Sequence, residues 1–184
     1  MNVAICEYGA GNVRSVALAF ARLGVERTGD LAGADLAVLP GVGSARTAMA
    51  GLRDGGQDEA LQARIAAGRP VLGICLGLQL ALDWTDEDGG VEGLGLLPGR
   101  AQRLSEGRVP RIGWAVVEPL GDAFYFAHSF AAETSHATAW AEGAVAEARS
   151  GAFLGCQFHP EKSGAAGARY LARVLEEVAC LSLV

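Results

Sequence analysis

Long apolar runs are missing from this chain: none approaches the roughly 20 residues that a bilayer crossing requires, which excludes a helical membrane span. The opening residues, Met1-Asn2-Val3-Ala4-Ile5-Cys6, already read as a strand. No basic stretch precedes a cleavable apolar segment, so no secretory leader is expected. Cysteine is scarce, and Cys6, Cys75, Cys156 and Cys180 stand far apart with no Cys-x-x-Cys pair. That favours free thiols over a disulfide frame or a zinc site, and the cytoplasm as compartment. His136 has no ligand-like neighbour, and no metal or other cofactor is expected. Basic residues are in deficit, 15 against 21 acidic ones for a net charge of −6, which argues against a nucleic-acid surface. Repeats, linkers and low-complexity tracts are also absent.

What is present fits one compact domain over residues 1–184, long enough to bury its apolar surface without staples. Hydrophobic residues make up 51% and charged residues 20%, and the 26 glycines punctuate apolar runs as turns do. Residues 2–6, 36–39 and 71–74 read as buried strands. Helical spacing follows from Asn12 to Gly24, through 57–67 and over 76–82. Strands alternating with helices imply a doubly wound, mainly parallel α/β sheet with helices on both faces. The second half is β-rich, with short runs at 94–104, 112–119, 124–129, 138–142, 144–149 and 153–158. These are expected as hairpins at the edge or end of the sheet, before a last helix over 164–179. Gly9-x-Gly11 looks like half a dinucleotide fingerprint, but Arg14 fills the third glycine position and rules it out.

Three short motifs carry chemistry. Gly73-Ile74-Cys75-Leu76-Gly77 sits where a buried strand meets a helix. Small flanking residues permit the sharp turn that projects a nucleophile, and a helix N-terminus favours thiolate. The alternative for Cys75 is a buried structural thiol, as expected for Cys6 and Cys156. Gln157-Phe158-His159-Pro160-Glu161 also follows a strand, so His159 and Glu161 can reach one pocket mouth as base and orienting carboxylate. A lone His-Pro-Glu is more often a plain strand-end turn; its weight comes from Cys75 at another strand end. Pro40-Gly41-Val42-Gly43 is a third strand-end loop whose glycines let backbone N–H groups approach a developing oxyanion. Val42, Gly43 and Leu76 are its candidate donors. Asp86-Glu87-Asp88 reads as a solvated loop.

Together these motifs resemble the class I (triad, flavodoxin-like) glutamine amidotransferases. Further stretches narrow the resemblance to the glutaminase subunits of imidazole glycerol phosphate synthases. They are Tyr8-Gly9-Ala10-Gly11-Asn12, Gly73 to Leu80, Gly93-Leu94-Gly95-Leu96-Leu97-Pro98-Gly99, Ile112-Gly113-Trp114, Tyr125-Phe126-Ala127-His128-Ser129 and Glu161-Lys162-Ser163. The resemblance implies a Cys75–His159–Glu161 triad that hydrolyses L-glutamine to glutamate and ammonia through a cysteine thioester. It implies glutamine contacts from Gln79, His128, Ser129 and Phe130. It also implies a heterodimer with a (β/α)8-barrel synthase (cyclase) subunit that receives the ammonia for histidine biosynthesis, with Asn12, Trp114, Tyr125 and Lys162 toward that partner. Taken without the resemblance, Gln79 would be an exposed helix residue, His128 a satisfied histidine, and Trp114 either an interface anchor or core.

The chain departs from the family pattern at Arg111 and Ala115, which flank Ile112-Gly113-Trp114, and at Phe130 in place of a usual Tyr. Glutaminases serving pyridoxal phosphate or anthranilate synthase remain alternatives, as do a non-catalytic amidotransferase-like binding module and a thiol peptidase. Lys162-Ser163 and Ile112-Gly113-Trp114 speak against the first two, the intact triad residues against the module, and Gln79 against the peptidase.

Overall fold

A computed structural model describes residues 1–9 and 12–181 of the chain. Ala10 and Gly11, expected in the turn after the first strand, lie outside the described residues. In chain order the elements are β1 (Asn2–Ile5), α1 (Val13–Ala21), β2 (Glu26–Thr28), β3 (Leu36–Leu39), α2 (Ala45–Asp54), α3 (Gln57–Ala66), β4 (Val71–Ile74) and α4 (Leu76–Ala81). They continue with β5 (Trp84–Thr85), β6 (Val91–Glu92), β7 (Arg100–Arg103), β8 (Arg111–Val117), β9 (Asp122–His128) and β10 (Phe130–Glu133). The last are β11 (Ala137–Ala141), β12 (Ala144–Ser150), β13 (Phe153–Cys156) and α5 (Gly164–Leu181).

A seven-stranded sheet runs in the order β11-β12-β13-β4-β3-β1-β2. From β13 to β2 every pair is parallel, and β12 and β11 continue it antiparallel. Because side chains alternate along a strand, the central tetrads feed two cores. Leu36, Val38, Leu72 and Ile74 meet Val16 and Phe20 of α1 and Leu171 and Val174 of α5 on one face. Ala37, Leu39 and Val71 meet Ala48, Met49 and Leu52 of α2 and Leu61 of α3 on the other. Continuous apolar strands buried on both faces are what a helix-covered parallel sheet requires. Among the described residues, no helix is long and apolar enough to cross a membrane.

Three sequence expectations need correction. A second helix, α2, precedes the one expected near 57–67; Ser44 caps it, its Oγ accepting from Thr47 N. Its buried Ala45, Ala48, Met49 and Leu52 have i, i+3, i+4, i+7 spacing, so the signal was present. The run at 94–104 is a strand only over Arg100–Arg103. Before it, the Leu94, Leu96 and Leu97 N–H groups donate to Leu80 and Ala81 carbonyls, so the loop satisfies the end of α4 rather than a sheet. The segment at 153–158, expected among peripheral hairpins, supplies β13, an interior strand of the seven-stranded sheet that pairs parallel with β4 and antiparallel with β12.

The remaining strands form two smaller units. One is a four-stranded sheet, β10-β7-β5-β6; the other is the β8–β9 hairpin. The hairpin puts Val117, Phe124 and Phe126 into the core shared with α5. On its other face Ile112, Trp114 and Val116 point outward, 66%, 59% and 51% exposed.

Candidate active site

Strands β4 and β13 lie side by side with Ile74 opposite Cys156, so the residues after each emerge at the same end of the sheet. Cys75 follows the first, and its N–H donates to Cys156 O at 2.7 Å. His159 lies three residues past the second. Parallel pairing thus joins motifs more than eighty residues apart.

Cys75 has φ 54° and ψ −106°, a conformation that residues with a β-carbon seldom adopt and that marks stored backbone strain. Close packing enforces it. A β-carbon on Gly77 would stand 1.9 Å from Leu39 O, and one on Gly73 2.9 Å from the Gly77 carbonyl. One on Gly41 would stand 2.4 Å from Leu76 Cβ, so the 40–43 loop lies directly on the elbow. Tyr8, buried beside it, donates its hydroxyl proton to Pro40 O and anchors the root of that loop.

His159 opens a 3-10 turn over Pro160–Lys162. Its Nδ1 lies 2.8 Å from Glu161 Oε1, with both side chains 1% exposed. A carboxylate only accepts, so Nδ1 carries the proton in this pair. The turn is pinned from behind. Ser163 Oγ donates to His159 O at 2.6 Å and accepts from Tyr125 N at 3.0 Å, while His159 N donates to Tyr125 O at 2.8 Å. His159 Nε2 makes no hydrogen bond of ordinary geometry. Burial disfavours the charged ring, yet hydrogen bonding and attraction from Cys75 and Glu161 outweigh it and raise the imidazole to about 9. The ring is therefore protonated at neutral pH. Cys6 and Cys156 are core thiols, as expected: burial pushes Cys6 up to about 12 and Cys156 well above its ordinary value.

A cleft of about 230 Å³ opens over Cys75, lined by Val42, Gly43 and Leu76 on one side and Gln79, His128, Ser129 and Phe130 on the other. All seven residues assigned from the sequence to oxyanion and glutamine contacts thus share one cleft with Cys75. Gln79 is buried rather than exposed, and its Nε2 donates to Phe130 O at 2.7 Å and Gln157 Oε1 at 3.1 Å. His128 Nδ1 lies 2.8 Å from the same Phe130 carbonyl, so that nitrogen donates and buried Nε2 is left as an acceptor. Burial lowers His128 to about 4, with Arg111 and His159 adding to the effect; it is neutral at pH 7.

Glu87 also lines the cleft; Asp86 and Asp88 of the acidic turn are exposed, as its composition suggested, but the turn also makes specific bonds. Glu87 accepts from Ala45 N at 3.1 Å, and Asp88 accepts from Ser44 Oγ at 2.6 Å and Arg46 N at 3.0 Å. These carboxylates satisfy the orphan N–H groups that open α2, directly after the 40–43 loop. Tyr8 and Ser163 stood inside quoted motifs without a role. Nothing in the sequence marked Glu87, whose partner lies 42 residues away. Among the described residues, no group of three His, Cys, Asp or Glu side chains could hold a metal ion.

Of the residues expected at a partner surface, Trp114 is exposed rather than core and packs edge-on against Tyr125, ring centroids 6.0 Å apart. Lys162 Nζ lies 5.9 Å from the Tyr125 ring centre, and Tyr125 in turn lies 6.4 Å from the His159 ring. Asn12 Oδ1 accepts from Ser15 N and caps α1, which packs on the 160–162 turn. Arg111, the departure beside the stripe, is bound within the chain by the Ala141 carbonyl and Glu142.

At this end of the sheet a strained strand-to-helix cysteine and a buried His–Glu pair follow two neighbouring parallel strands. The family model for class-I glutamine amidotransferase matches residues 23–178, and the chain belongs to that family. A solved structure described as a glutamine amidotransferase superposes with a TM-score of 0.78 at 22% identity, over 96% of this chain and 98% of that one. Within the family, the chain is 44% identical to the imidazole glycerol phosphate synthase subunit HisH of Symbiobacterium thermophilum, over 92% of this chain and 91% of the relative. It is 42% identical to the HisH subunit of Methanothermobacter thermautotrophicus, over 95% and 98%.

Proposed function

We propose that the protein is the glutaminase subunit of an imidazole glycerol phosphate synthase, with Cys75, His159 and Glu161 as its catalytic triad. The observation that carries this reading is that Cys75, which lines the cleft, and the buried His159–Glu161 pair follow two paired parallel strands, with Cys75 acting directly on the His159 ring. Cys75 thiolate attacks the side-chain amide carbon of L-glutamine. N–H groups of the 42–43 loop and of Leu76 stabilise the oxyanion. His159 delivers its proton to the departing nitrogen, the C–N bond breaks, and ammonia leaves a γ-glutamyl thioester. Water, deprotonated by His159, then attacks the thioester and releases glutamate. Glu161 fixes the tautomer and steadies the imidazolium. Gln79, His128, Ser129 and Phe130 bind the rest of glutamine, and no metal or cofactor enters the sequence.

The ammonia passes to a barrel-shaped synthase subunit docked on the outer face of the β8–β9 hairpin. Ile112, Trp114 and Val116 make an exposed apolar stripe where a free-standing hairpin would carry polar residues. Tyr125 and Lys162 border it, and Asn12 caps the helix packed on the neighbouring turn. Tyr125 links this face to His159 through its own carbonyl, a route by which docking can bear on the triad.

The test is reconstitution. Glutamine hydrolysis is expected to rise steeply when the cognate synthase and its nucleotide ligand are added. Cys75→Ala is expected to abolish glutamine-dependent synthesis while synthesis from ammonium persists. No response to the synthase would sink the subunit assignment, and surviving glutamine use would remove Cys75 as nucleophile.

A further inference from the structure

Gln157 lies two residues ahead of His159, is fully buried, and takes no part in the chemistry above. Its orientation follows from its partners. Phe130 O can only accept, so it fixes Gln79 with its amide nitrogen toward that carbonyl. The same nitrogen donates to Gln157 Oε1 at 3.1 Å. Gln157 must then present its own NH2 to the other side, where Cys75 Sγ lies 3.5 Å away. The sulfur is an acceptor in that contact. As a thiol it can also donate to Ala127 O at 3.8 Å; as a thiolate it loses that bond and keeps the one from Gln157.

We infer that Gln157 is a positioning residue for Cys75, its amide N–H holding the sulfur and favouring the thiolate, with Gln79 and Phe130 of the cleft wall fixing the amide in turn. This deepens the glutaminase reading and rests on Cys75 being its nucleophile. A hydrogen bond to the charged form of a group stabilises that form, most of all where water is absent. Cys75 is 5% exposed, so little solvent competes with Gln157 for the sulfur. The chain Phe130–Gln79–Gln157–Cys75 also joins the cleft wall to the nucleophile, so a ligand that shifts Gln79 moves the donor on the sulfur.

Other groups face the same sulfur and are constant in the comparison that tests this. They are His159 with Glu161 behind it, Tyr8 from the loop after β1 and Cys156 in β13. Glu87 and His128 stand across the cleft. The experiment alkylates the full-length chain with iodoacetamide across a range of pH and follows the Cys75 peptide by mass spectrometry, so that the exposed Cys180 does not enter the readout. Two variants are compared with the parent. Gln157→Glu keeps the acceptor that Gln79 needs and replaces the donor by an oxygen. Gln157→Met removes both polar atoms at similar volume. In each, the midpoint of Cys75 alkylation is expected to rise by about one pH unit. Glutamine turnover is expected to fall roughly tenfold in kcat with KM little changed. Should Gln157→Met fail to fold, Gln157→Leu takes its place, because the carboxylate of Gln157→Glu would also repel the thiolate. An unchanged midpoint in a folded variant would overturn the inference, even if turnover fell. By contrast, Cys75→Ala protein that still hydrolysed glutamine would overturn the underlying reading, while the alkylation midpoint still reported on Gln157.

Discussion

Two buried histidines carry opposite perturbations, and stability should register both. His159 is raised to about 9 from an ordinary 6.5, so its stabilising contribution is complete below 6.5 and is lost as pH rises through 9. His128 is lowered to about 4, so the unfolded chain takes its proton near 6.5 while the native state refuses it. Its burial therefore costs stability as pH falls from 6.5 toward 4. Melting temperatures from about pH 4 to about pH 10 should form a dome. His159→Gln should flatten the alkaline limb and His128→Gln the acid one; unchanged limbs would contradict these assignments. Activity divides the two differently. His159→Gln is expected to lower kcat by at least about a thousandfold, because it removes the proton the leaving nitrogen needs.

At the scale of elements, the site depends on how closely the elbow can pack on the loop before it. Gly77 admits no side chain: a β-carbon there would overlap Leu39 O. Gly77→Ala is expected to cost about 3 kcal/mol or more, or to flatten the strain at Cys75 and with it the activity. Urea unfolding and turnover of the same preparation distinguish the two outcomes, and a fully active variant of parental stability would contradict both. The elements were legible to different degrees, for physical reasons. β3 and β4 are apolar throughout and bounded by Pro40-Gly41 and by the elbow, so their burial and their strand ends could be read directly. β13 was read as a strand, but its place beside β4 is set by parallel pairing across eighty residues, which local pattern does not encode. The acidic turn over Glu87–Gly89 shows the same limit. Its composition matches solvated loops, and only the fold brings it onto the start of α2. Gln157 was visible as a motif letter, while its amide's place between Gln79 and Cys75 required coordinates.

Across the whole molecule, buried apolar residues form two cores on the sheet faces, while Ile112, Trp114 and Val116 on the β8–β9 hairpin are the most exposed large apolar side chains among the described residues. The chain does not bury this stripe by itself. Trp114→Ala is expected to weaken binding to the synthase by about 2 kcal/mol or more, roughly thirtyfold in Kd. Stability of the isolated chain should change by less than about 0.5 kcal/mol, because Trp114 is mostly exposed. Calorimetric titration and thermal melting of one variant test both halves; equal losses in the two would make Trp114 a folding residue. The proposed reaction requires Cys75 to become acylated. The most direct measurement is therefore acid quenching of the complex during turnover with glutamine, followed by mass spectrometry of the peptide that carries Cys75. A γ-glutamyl adduct on Cys75, absent in Cys75→Ala and sharply reduced in His159→Gln, which lacks the proton for the departing ammonia, is the expected result. Steady glutamine hydrolysis with no adduct, or with one on another residue, would contradict the account.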